Sequence, residues 1–326
     1  MLKPLEQLPS EEPLDRIAAC LKAAGDPLRL EILRVLARGS YGVLELSRIF
    51  SMKQSGMSHH LKVLANAGLV ATRREGNSIY YRRAYAAADD ELHGVQTVLY
   101  ATLDRVALEP AVQKRLSDVQ QERARASQQF FADNADKFRE QQDLIASYPV
   151  YAEHVADMLR RIPREHLDAV LEIGPGEGEF LGILSRAYAQ VFALDNSSRM
   201  LDKARAFAQR QALANIEFLL GESRLAVERG LEVDCVVINM VLHHTPSPGD
   251  IFHDASAVLR PGGALIVTDL CRHNQHWASE SCGDLWLGFE PLDFSAWASE
   301  AGLTEGQSSY FALRNGFQIQ IRHFSK

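Results

Sequence analysis

The chain of 326 residues has few cysteines and no long apolar run. Its cysteines are Cys20, Cys235, Cys271 and Cys282, and no two of them have CxxC spacing. Neither a disulfide framework nor a zinc knuckle is therefore predicted. No stretch approaches the about 20 apolar residues of a membrane span. Residues 1–13 also lack the apolar centre of a signal peptide. We expect a reduced, cytoplasmic protein with no membrane partner.

Charge is distributed unevenly along the chain. The formal net charge is −7, yet residues 44–83 hold seven Lys/Arg and two Asp/Glu, a local charge of +5 that leaves −7 − 5 = −12 for the rest. A cluster of positive charge in an otherwise acidic chain is the pattern expected of a localised DNA-binding face. A solvated charged surface is the open alternative. The length predicts two domains or three.

The first 85 residues are patterned as helices that end in a β-hairpin. Asp26 can cap a helix whose first residue is Pro27. Met57, Leu61 and Leu64 recur at i, i+4 and i+7, which is typical of a helix with one apolar face. Predicted helices cover 17–24, 43–50 and 56–67, and another begins at Pro27 and is ended by Gly39. A turn is predicted at 51–55, and predicted strands cover 69–74 and 78–83 around a hairpin turn at 75–77.

Several linked motifs in this region resemble the ArsR/SmtB family of winged-helix repressors. They are Gly25-Asp-Pro-Leu-Arg-Leu-Glu-Ile-Leu33, Leu44-Glu-Leu-Ser47, Gln54-Ser-Gly-Met-Ser-His-His-Leu-Lys-Val-Leu64 and Ala67-Gly-Leu-Val70. The resemblance implies a homodimer that binds double-stranded operator DNA, with the helix at 54–64 in the major groove. Glutamine can bond adenine at two atoms, and lysine and arginine suit phosphates. The candidate DNA contacts are Lys53, Gln54, Ser55, Ser58, His59, Lys62, Arg73, Arg74 and Arg82.

Metal chemistry of that family is not expected here. Many of its members hold metals through cysteines near 44–47, where this chain has Val43-Leu-Glu-Leu46. After the hairpin, only His93 near Asp89 and Asp90 is available. The neighbouring His59 and His60 point in different directions on a helix. We predict no metal site, so a sensed ligand must bind elsewhere.

Residues 86–129 are predicted to be a helical connector. Leu92, Val95, Leu99, Leu103 and Val106 form a stripe at helical spacing, and Pro110 can begin a second helix that carries Val112, Leu116 and Val119. We favour the interpretation that this apolar stripe is a dimer seam, the contact surface between two copies of the chain. The open alternative is an amphipathic helix that packs on its own domain.

From residue 169 onward, strands alternate with helices. Apolar runs at 169–173, 190–194, 216–220, 235–238 and 264–268 predict a parallel sheet with helices on both faces. The first run leads into Glu172-Ile-Gly174-Pro-Gly176-Glu-Gly178, whose glycines let the backbone approach a nucleoside. Asp195 ends the second run, where a carboxylate can bind both ribose hydroxyls. Residues 130–161 are predicted to be helices that cover or flank the sheet.

Later motifs make this part resemble the class I S-adenosylmethionine-dependent methyltransferases. They are Asp195-Asn-Ser-Ser-Arg-Met-Leu201, Gly221-Glu-Ser223, the segment from Asp234 to His244, and Leu259-Arg-Pro-Gly-Gly-Ala-Leu-Ile-Val267. The resemblance implies S-adenosylhomocysteine or S-adenosylmethionine as ligand, with the glycines at its amino-acid part, Asp195 on ribose, Met200 on the adenine face and Asn239 beside sulfur. The candidate ligand contacts are Glu172, Gly174, Gly176, Gly178, Asp195, Asn196, Met200, Gly221, Glu222, Ser223 and Asn239. A dinucleotide is disfavoured, because G-x-G-x-G differs from G-x-G-x-x-G.

Catalytic residues are not evident from the pattern. Class I methyl transfer often needs little beyond placing a nucleophile in line with the sulfonium methyl. Candidates to line an acceptor site are His243, His244, Asp269, His273 and Trp277, with purely structural roles as the alternative. Arsenite methylation is disfavoured, because only Cys271 and Cys282 could meet.

The whole chain is predicted as an α+β winged helix-turn-helix domain (1–85), a helical connector (86–129) and an α/β doubly wound, Rossmann-like methyltransferase domain (130–326). This combination resembles the S-adenosylhomocysteine-responsive ArsR-type repressors of the bacterial methionine cycle (SahR type). The resemblance implies a repressor that releases DNA when S-adenosylhomocysteine accumulates. The alternatives are an active methyltransferase that carries a regulatory DNA-binding domain, and a scaffold with a vestigial pocket.

Overall fold

Two compact units make up the chain, an N-terminal unit of residues 1–119 and a C-terminal unit of residues 120–326. The computed structural model describes residues 12–37, 39–75, 78–87, 89–134, 138–162 and 167–326. The tip of the predicted hairpin turn, residues 76 and 77, lies outside them. The predicted connector falls on both sides of the boundary between the units. Among the described helices, none is long and apolar enough to cross a membrane.

The N-terminal unit is a small helical domain with a β-hairpin, as predicted. Within its described residues, β1, β3 and β2 form an antiparallel sheet in that order. The hairpin register pairs Thr72 with Tyr81 and Arg73 with Tyr80. The elements are α1 (Pro13–Ala24), α2 (Pro27–Val35), β1 (Tyr41–Gly42), α3 (Val43–Ile49), α4 (Gln54–Asn66), β2 (Val70–Glu75), β3 (Ser78–Arg83), α5 (Leu92–Leu103) and the first half of α6 (Pro110–Asn134).

Local signals fix the ends of these helices. The Asp26 carboxylate accepts a 2.9 Å hydrogen bond from the backbone N–H of Arg29, so it caps α2 as predicted. Gly68, with a φ of +70°, follows α4 and turns the chain into β2. Helix α4 begins at Gln54, two residues before its predicted start. Gln54 and Ser55 therefore lie in the first turn of α4 and not in the preceding turn.

Most of the apolar stripe predicted as a dimer seam packs on its own unit. Leu92 and Leu103 of α5 are buried in the core of the N-terminal unit, and Val112, Leu116 and Val119 of α6 join them there. Tyr100 of α5 also donates a 2.9 Å hydrogen bond to the backbone carbonyl of Leu69. Intra-unit packing thus accounts for these side chains, whereas Val98 and Val106 stay 69% and 55% exposed. The dimer itself stays a prediction.

The C-terminal unit is built on one mixed sheet. Its described strands form a seven-stranded sheet in the order β6-β5-β4-β7-β8-β10-β9. The five strands predicted from apolar runs are parallel, while β10 pairs antiparallel with both β8 and β9. The strands are β4 (Ala169–Ile173), β5 (Gln190–Asp195), β6 (Ile216–Leu220), β7 (Val233–Asn239), β8 (Leu259–Leu270), β9 (Thr304–Ala312) and β10 (Gln318–Ser325). The two antiparallel strands are an addition to the predicted sheet.

Helices cover the sheet and explain the apolar strands. Every residue of β4 and β7 is buried, as expected for parallel strands with both faces covered. The strand order changes direction at β4, since β5 and β6 lie on one side of it and β7 and β8 on the other. Such a reversal leaves a crevice at the carboxyl ends of the strands. The helices are α7 (Phe138–Ile145), α8 (Tyr148–Leu159), α9 (Leu181–Ala187), α10 (Ser198–Arg210), α11 (Arg224–Glu228), α12 (Pro248–Val258), α13 (Trp277–Cys282) and α14 (Pro291–Glu300), with a 3₁₀ turn at Leu242–His244.

Candidate functional site

The glycine loop, residues 174–178, lies at the point where the strand order reverses. Gly174, Gly176 and Gly178 have φ angles of +71°, +57° and +90°, which other residues rarely adopt. A Cβ on Gly174 would lie 2.4 Å from the Val241 side chain, and one on Gly178 would lie 3.0 Å from Cα of Ala204. The loop therefore requires glycine for both its conformation and its packing.

Predicted ligand residues from four strands meet at the same sheet edge. Asp195 is the last residue of β5, and Asn239 is the last residue of β7. The backbone N–H of Gly221, directly after β6, donates a 2.9 Å hydrogen bond to the carbonyl of Asp195. Because Ile173 of β4 pairs with both Leu194 and Ile238, the glycine loop follows at this edge as well. The structure thus brings together the residues that the sequence placed at the ends of separate strands.

The Asp195 carboxylate is held by the start of helix α10. Its Oδ1 accepts a 2.8 Å hydrogen bond from the backbone N–H of Ser197. Burial raises the pKa of Asp195 to about 6, although hydrogen bonds from the Ser197 and Asn196 backbones oppose the shift. Ser197 in turn caps α10 by accepting from the N–H of Met200, whose side chain is buried. The carboxylate is therefore mostly ionised at neutral pH and can accept hydrogen bonds from hydroxyl groups.

Glu172 is a second carboxyl group in this region, with different electrostatics. It lies in β4 with 1% of its surface exposed. Burial raises its pKa to about 8, against a smaller opposing effect of the Asn239 side chain. Asn239 is itself 7% exposed. At neutral pH the Glu172 carboxyl is mainly protonated, and it can donate a hydrogen bond beneath the crevice.

The residues predicted to lie near the adenine edge of the ligand differ in their exposure. Glu222 is exposed and Ser223 half-buried. The Ser223 hydroxyl donates a 2.7 Å hydrogen bond to Asp254, which ties it to helix α12. A Cβ on Gly221 would lie 2.7 Å from the Leu225 side chain, so close packing explains this glycine.

Six of the nine predicted DNA contacts lie on helix α4 or directly before it. The buried positions Met57, Leu61 and Leu64 define the inner face of this helix. The outer face carries exposed Lys53, Gln54, Ser55, Ser58, His59 and Lys62. All six candidates at this helix therefore point away from the core, as a recognition helix requires.

The hairpin arginines differ from one another. Arg74 is exposed, Arg82 is half-buried and Arg73 is 5% exposed. Alternation along a strand places neighbouring side chains on opposite faces, so Arg73 and Arg74 cannot both face solvent on one side. In this structure the Arg73 side chain is turned inward, unlike the exposed phosphate contact that the sequence indicated.

A second cluster of polar side chains, the histidine cluster, consists of His243, His244, Asp269 and Asp284. All four residues are buried. His243 Nδ1 lies 2.7 Å from Asp269 Oδ1, and His243 Nε2 lies 3.9 Å from Asp284 Oδ1. His244 Nδ1 lies 3.6 Å from the same Asp284 oxygen. Sequence reasoning named the first three residues as acceptor candidates but missed Asp284, which no motif marks.

Charge in the histidine cluster favours a cation between the carboxylates. Burial acts to lower the pKa of His243, but Asp269 and Asp284 outweigh it and raise this pKa to about 9. For His244, burial and the charge of His243 lower the pKa well below its usual value. When no other cation lies between these carboxylates, His243 is therefore mainly protonated at neutral pH, which makes it a poor general base.

The other acceptor candidates belong to a different group of side chains. His273 and Trp277 both pack edge-on against Phe317, with ring centroids 4.7 and 5.8 Å away.

Burial raises the pKa of Cys271 to about 11 and that of Cys282 to about 12, so both thiols stay protonated at neutral pH. A raised pKa makes each thiol less reactive, because the thiolate is the nucleophile and the metal ligand.

Comparison with known proteins identifies the N-terminal unit. Residues 26–72 match the family described as "Bacterial regulatory protein, arsR family". The arsenical resistance operon repressor of Staphylococcus aureus is 34% identical over 82 residues, which cover 25% of this chain and 79% of the repressor. The aligned part of this chain spans only 36% of an uncharacterized 37.1 kDa protein in transposon TN4556 of Streptomyces fradiae. It spans 4% of a polyketide synthase-nonribosomal peptide synthetase of Pyricularia grisea.

The C-terminal unit matches a different family. Residues 171–267 match a methyltransferase domain. A ubiquinone biosynthesis O-methyltransferase of Xanthomonas axonopodis pv. citri is 26% identical over 176 residues, 50% of this chain and 72% of that enzyme. The crystal structure of Burkholderia thailandensis 1,6-didemethyltoxoflavin-N1-methyltransferase superposes with a TM-score of 0.50 and 18% identity, and covers 64% of this chain and 90% of that one. This likeness confirms the predicted Rossmann-like fold of class I methyltransferases.

Proposed function

Because the chain belongs to the ArsR family of bacterial regulatory proteins and carries a methyltransferase domain, we propose that it is a repressor controlled by an adenosyl ligand. It binds operator DNA as a homodimer and senses S-adenosylhomocysteine or S-adenosylmethionine. The observation that supports this proposal most is the convergence of the glycine loop, Asp195 and Asn239 at one sheet edge.

Each part of the ligand has a matching group in the crevice. The glycine loop takes the amino-acid part, because its backbone allows close approach. The Asp195 carboxylate accepts from both ribose hydroxyls, and Met200 contacts the adenine face. Glu222 and Ser223 lie near the adenine edge, Asn196 and Gly221 complete the wall, and Glu172 and Asn239 flank the sulfur end. The B. thailandensis structure, which contains S-adenosylhomocysteine, supports an adenosyl ligand for this fold.

DNA recognition rests on α4 and the hairpin. Gln54, Ser55, Ser58 and His59 reach base edges or phosphates from the first turns of the helix. Lys53, Lys62, Arg74 and Arg82 contact phosphates, and Arg73 joins them only if its side chain turns outward. Two copies of α4 must fit half-sites about one helical turn, ~34 Å, apart.

Regulation requires that the ligand prefers one of two states. A ligand that binds the DNA-bound and DNA-released states equally tightly shifts neither. Complete switching needs a preference of roughly 10⁴-fold. In the proposed scheme, S-adenosylhomocysteine prefers the released state, so its accumulation frees operators of genes that recycle it in the methionine cycle.

Calorimetric titration of the full-length protein tests the assigned pocket. Asp195→Ala should weaken S-adenosylhomocysteine binding by at least about tenfold, since two hydrogen bonds to a carboxylate are removed. Asp202→Ala is the matched control, because Asp202 is an exposed acid on α10 that pairs with Arg205. Equal affinity of the Asp195 variant and wild type would exclude this pocket. Turnover with candidate methyl acceptors would instead identify an active methyltransferase.

A further inference from the structure

The histidine cluster brings three potential metal ligands together. One ligand atom each from His243, His244 and Asp284 can be chosen so that all three lie within 4.8 Å of one another. The two distances to Asp284 Oδ1 are 3.6 and 3.9 Å. Ligand atoms around a tetrahedral zinc ion, with bonds of about 2.0–2.1 Å, lie about 3.4 Å apart. The two distances to Asp284 are therefore within about 0.5 Å of this value, while the distance between the two histidine ligand atoms is bounded only at 4.8 Å.

Asp269 orients one of these ligands. It approaches Nδ1 of His243 at 2.7 Å, and its other oxygen accepts a 2.9 Å hydrogen bond from the backbone N–H of Leu242. A histidine that donates one ring N–H to a carboxylate presents its second nitrogen to a metal in a fixed direction. Asp269 thus acts as a positioning residue, and Nε2 of His243 is left facing Asp284.

Backbone hydrogen bonds join the two segments that carry the ligands. The N–H groups of Leu285 and Trp286 donate to the carbonyl of His243 at 2.8 and 3.1 Å. The Trp286 indole N–H also donates to the carbonyl of Thr245 at 2.7 Å. These contacts hold Asp284 beside the 3₁₀ turn, so the three ligands are arranged by the fold itself.

Charge and donor type define the metal. Two buried carboxylates, Asp269 and Asp284, require positive charge between them, and a dication supplies more of it than a single proton. Two imidazoles with one carboxylate suit zinc and related transition metals, whereas magnesium and calcium need about six or more oxygen ligands. We propose that His243, His244 and Asp284 bind a divalent transition metal of the zinc class, with Asp269 positioning His243.

Three protein ligands are fewer than the four of a closed zinc site. Zinc sites with three protein ligands complete their coordination with water or with an oxygen or sulfur atom of a small molecule. All three ligand residues are buried, so a bound ion would be largely shielded from solvent.

Titration of the full-length, metal-stripped protein with Co²⁺ tests this inference. The wild type should bind one equivalent with the intense visible d–d absorption of a four- or five-coordinate ion, and Zn²⁺ should displace it. Asp284→Asn and His244→Gln should each weaken binding at least about tenfold, and Asp269→Asn should weaken it about 10–100-fold. His154→Gln is the matched control, because His154 is an exposed histidine stacked on Phe311.

The outcomes separate this inference from the adenosyl pocket. No d–d absorption in the wild type, or equal Co²⁺ affinity of wild type and both ligand variants, would overturn the metal site. S-adenosylhomocysteine titration of the same samples reports on the pocket separately, and circular dichroism shows whether each variant is folded. If Asp284→Asn does not fold, His244→Gln and the wild-type spectrum still decide the question.

Discussion

At the scale of single residues, Asp195 predicts how ligand binding depends on pH. Its pKa of about 6 means that the carboxylate, which we propose accepts hydrogen bonds from ribose, is protonated as pH falls through 6. S-adenosylhomocysteine affinity should drop about tenfold between pH 7 and pH 5, in calorimetric titrations at both values. Glu172, with a pKa of about 8, stays mainly protonated throughout this range. Asp195→Asn should give weak binding that is independent of pH, and a retained pH dependence would assign it to another group.

Gly174 allows a second prediction at this scale. Gly174→Ala should destabilise the C-terminal unit by more than the about 1–3 kcal/mol expected of a strained backbone residue, because its Cβ would also lie 2.4 Å from Val241. Gly230→Ala is the matched control, since Gly230 has a φ of +64° but nothing within 4 Å of a Cβ. Urea unfolding of both variants measures the difference. Equal destabilisation of the two variants would show that Val241 yields without cost.

At the scale of elements, helix α4 makes a prediction about DNA. Lys62→Ala should weaken operator binding and lower the slope of log K against log salt by about 0.9 for each phosphate that the protein no longer neutralises. Lys114→Ala, which removes an exposed lysine of α6 paired with Asp118, is the control for removal of one charge. Fluorescence anisotropy at several salt concentrations gives both slopes. An unchanged slope for Lys62→Ala would remove this residue from the DNA contacts.

The elements also show where sequence patterns succeed and fail. The five parallel strands were predictable because each is mainly apolar, which is expected for β4 and β7, whose residues are all buried. The edge strand β6 is apolar as well, although most of its residues are exposed or half-buried. Strands β9 and β10 lack that pattern: β9 is largely exposed, and β10 buries the polar residues Gln320 and Arg322. The Gln320 amide donates to the Phe289 carbonyl at 2.8 Å, a tertiary contact that no local pattern encodes. The sequence patterns therefore did not predict β9, which is an edge strand, or β10, which buries polar side chains.

The candidate sites likewise contain residues that the sequence could predict and residues that it could not. Glycines and Asp195 were predictable, because each follows an apolar run at a fixed offset. Asp284 was not, since tertiary contacts bring it beside His243, among them the backbone hydrogen bonds of Leu285 and Trp286. The orientation of Arg73 was also hidden, because it depends on which face of the hairpin packs inward.

At the scale of the whole molecule, the proposed regulator joins two activities that could exist separately. An N-terminal unit with the α4 surface alone explains a DNA-binding protein, and a C-terminal unit with the crevice alone explains adenosyl binding. A regulator requires that each ligand changes the affinity for the other, and this coupling is reciprocal. Operator DNA should therefore weaken S-adenosylhomocysteine binding by the same factor as S-adenosylhomocysteine weakens operator binding.

The most direct test of this coupling is an operator release titration. A labelled duplex, selected by the wild-type protein from a random pool, is bound at fixed salt and titrated with S-adenosylhomocysteine while anisotropy is recorded. We expect release of the duplex by wild type and Asp202→Ala, and continued binding by Asp195→Ala at the same ligand concentrations. Wild-type protein that holds the duplex equally tightly with and without S-adenosylhomocysteine and S-adenosylmethionine would contradict the proposed coupling.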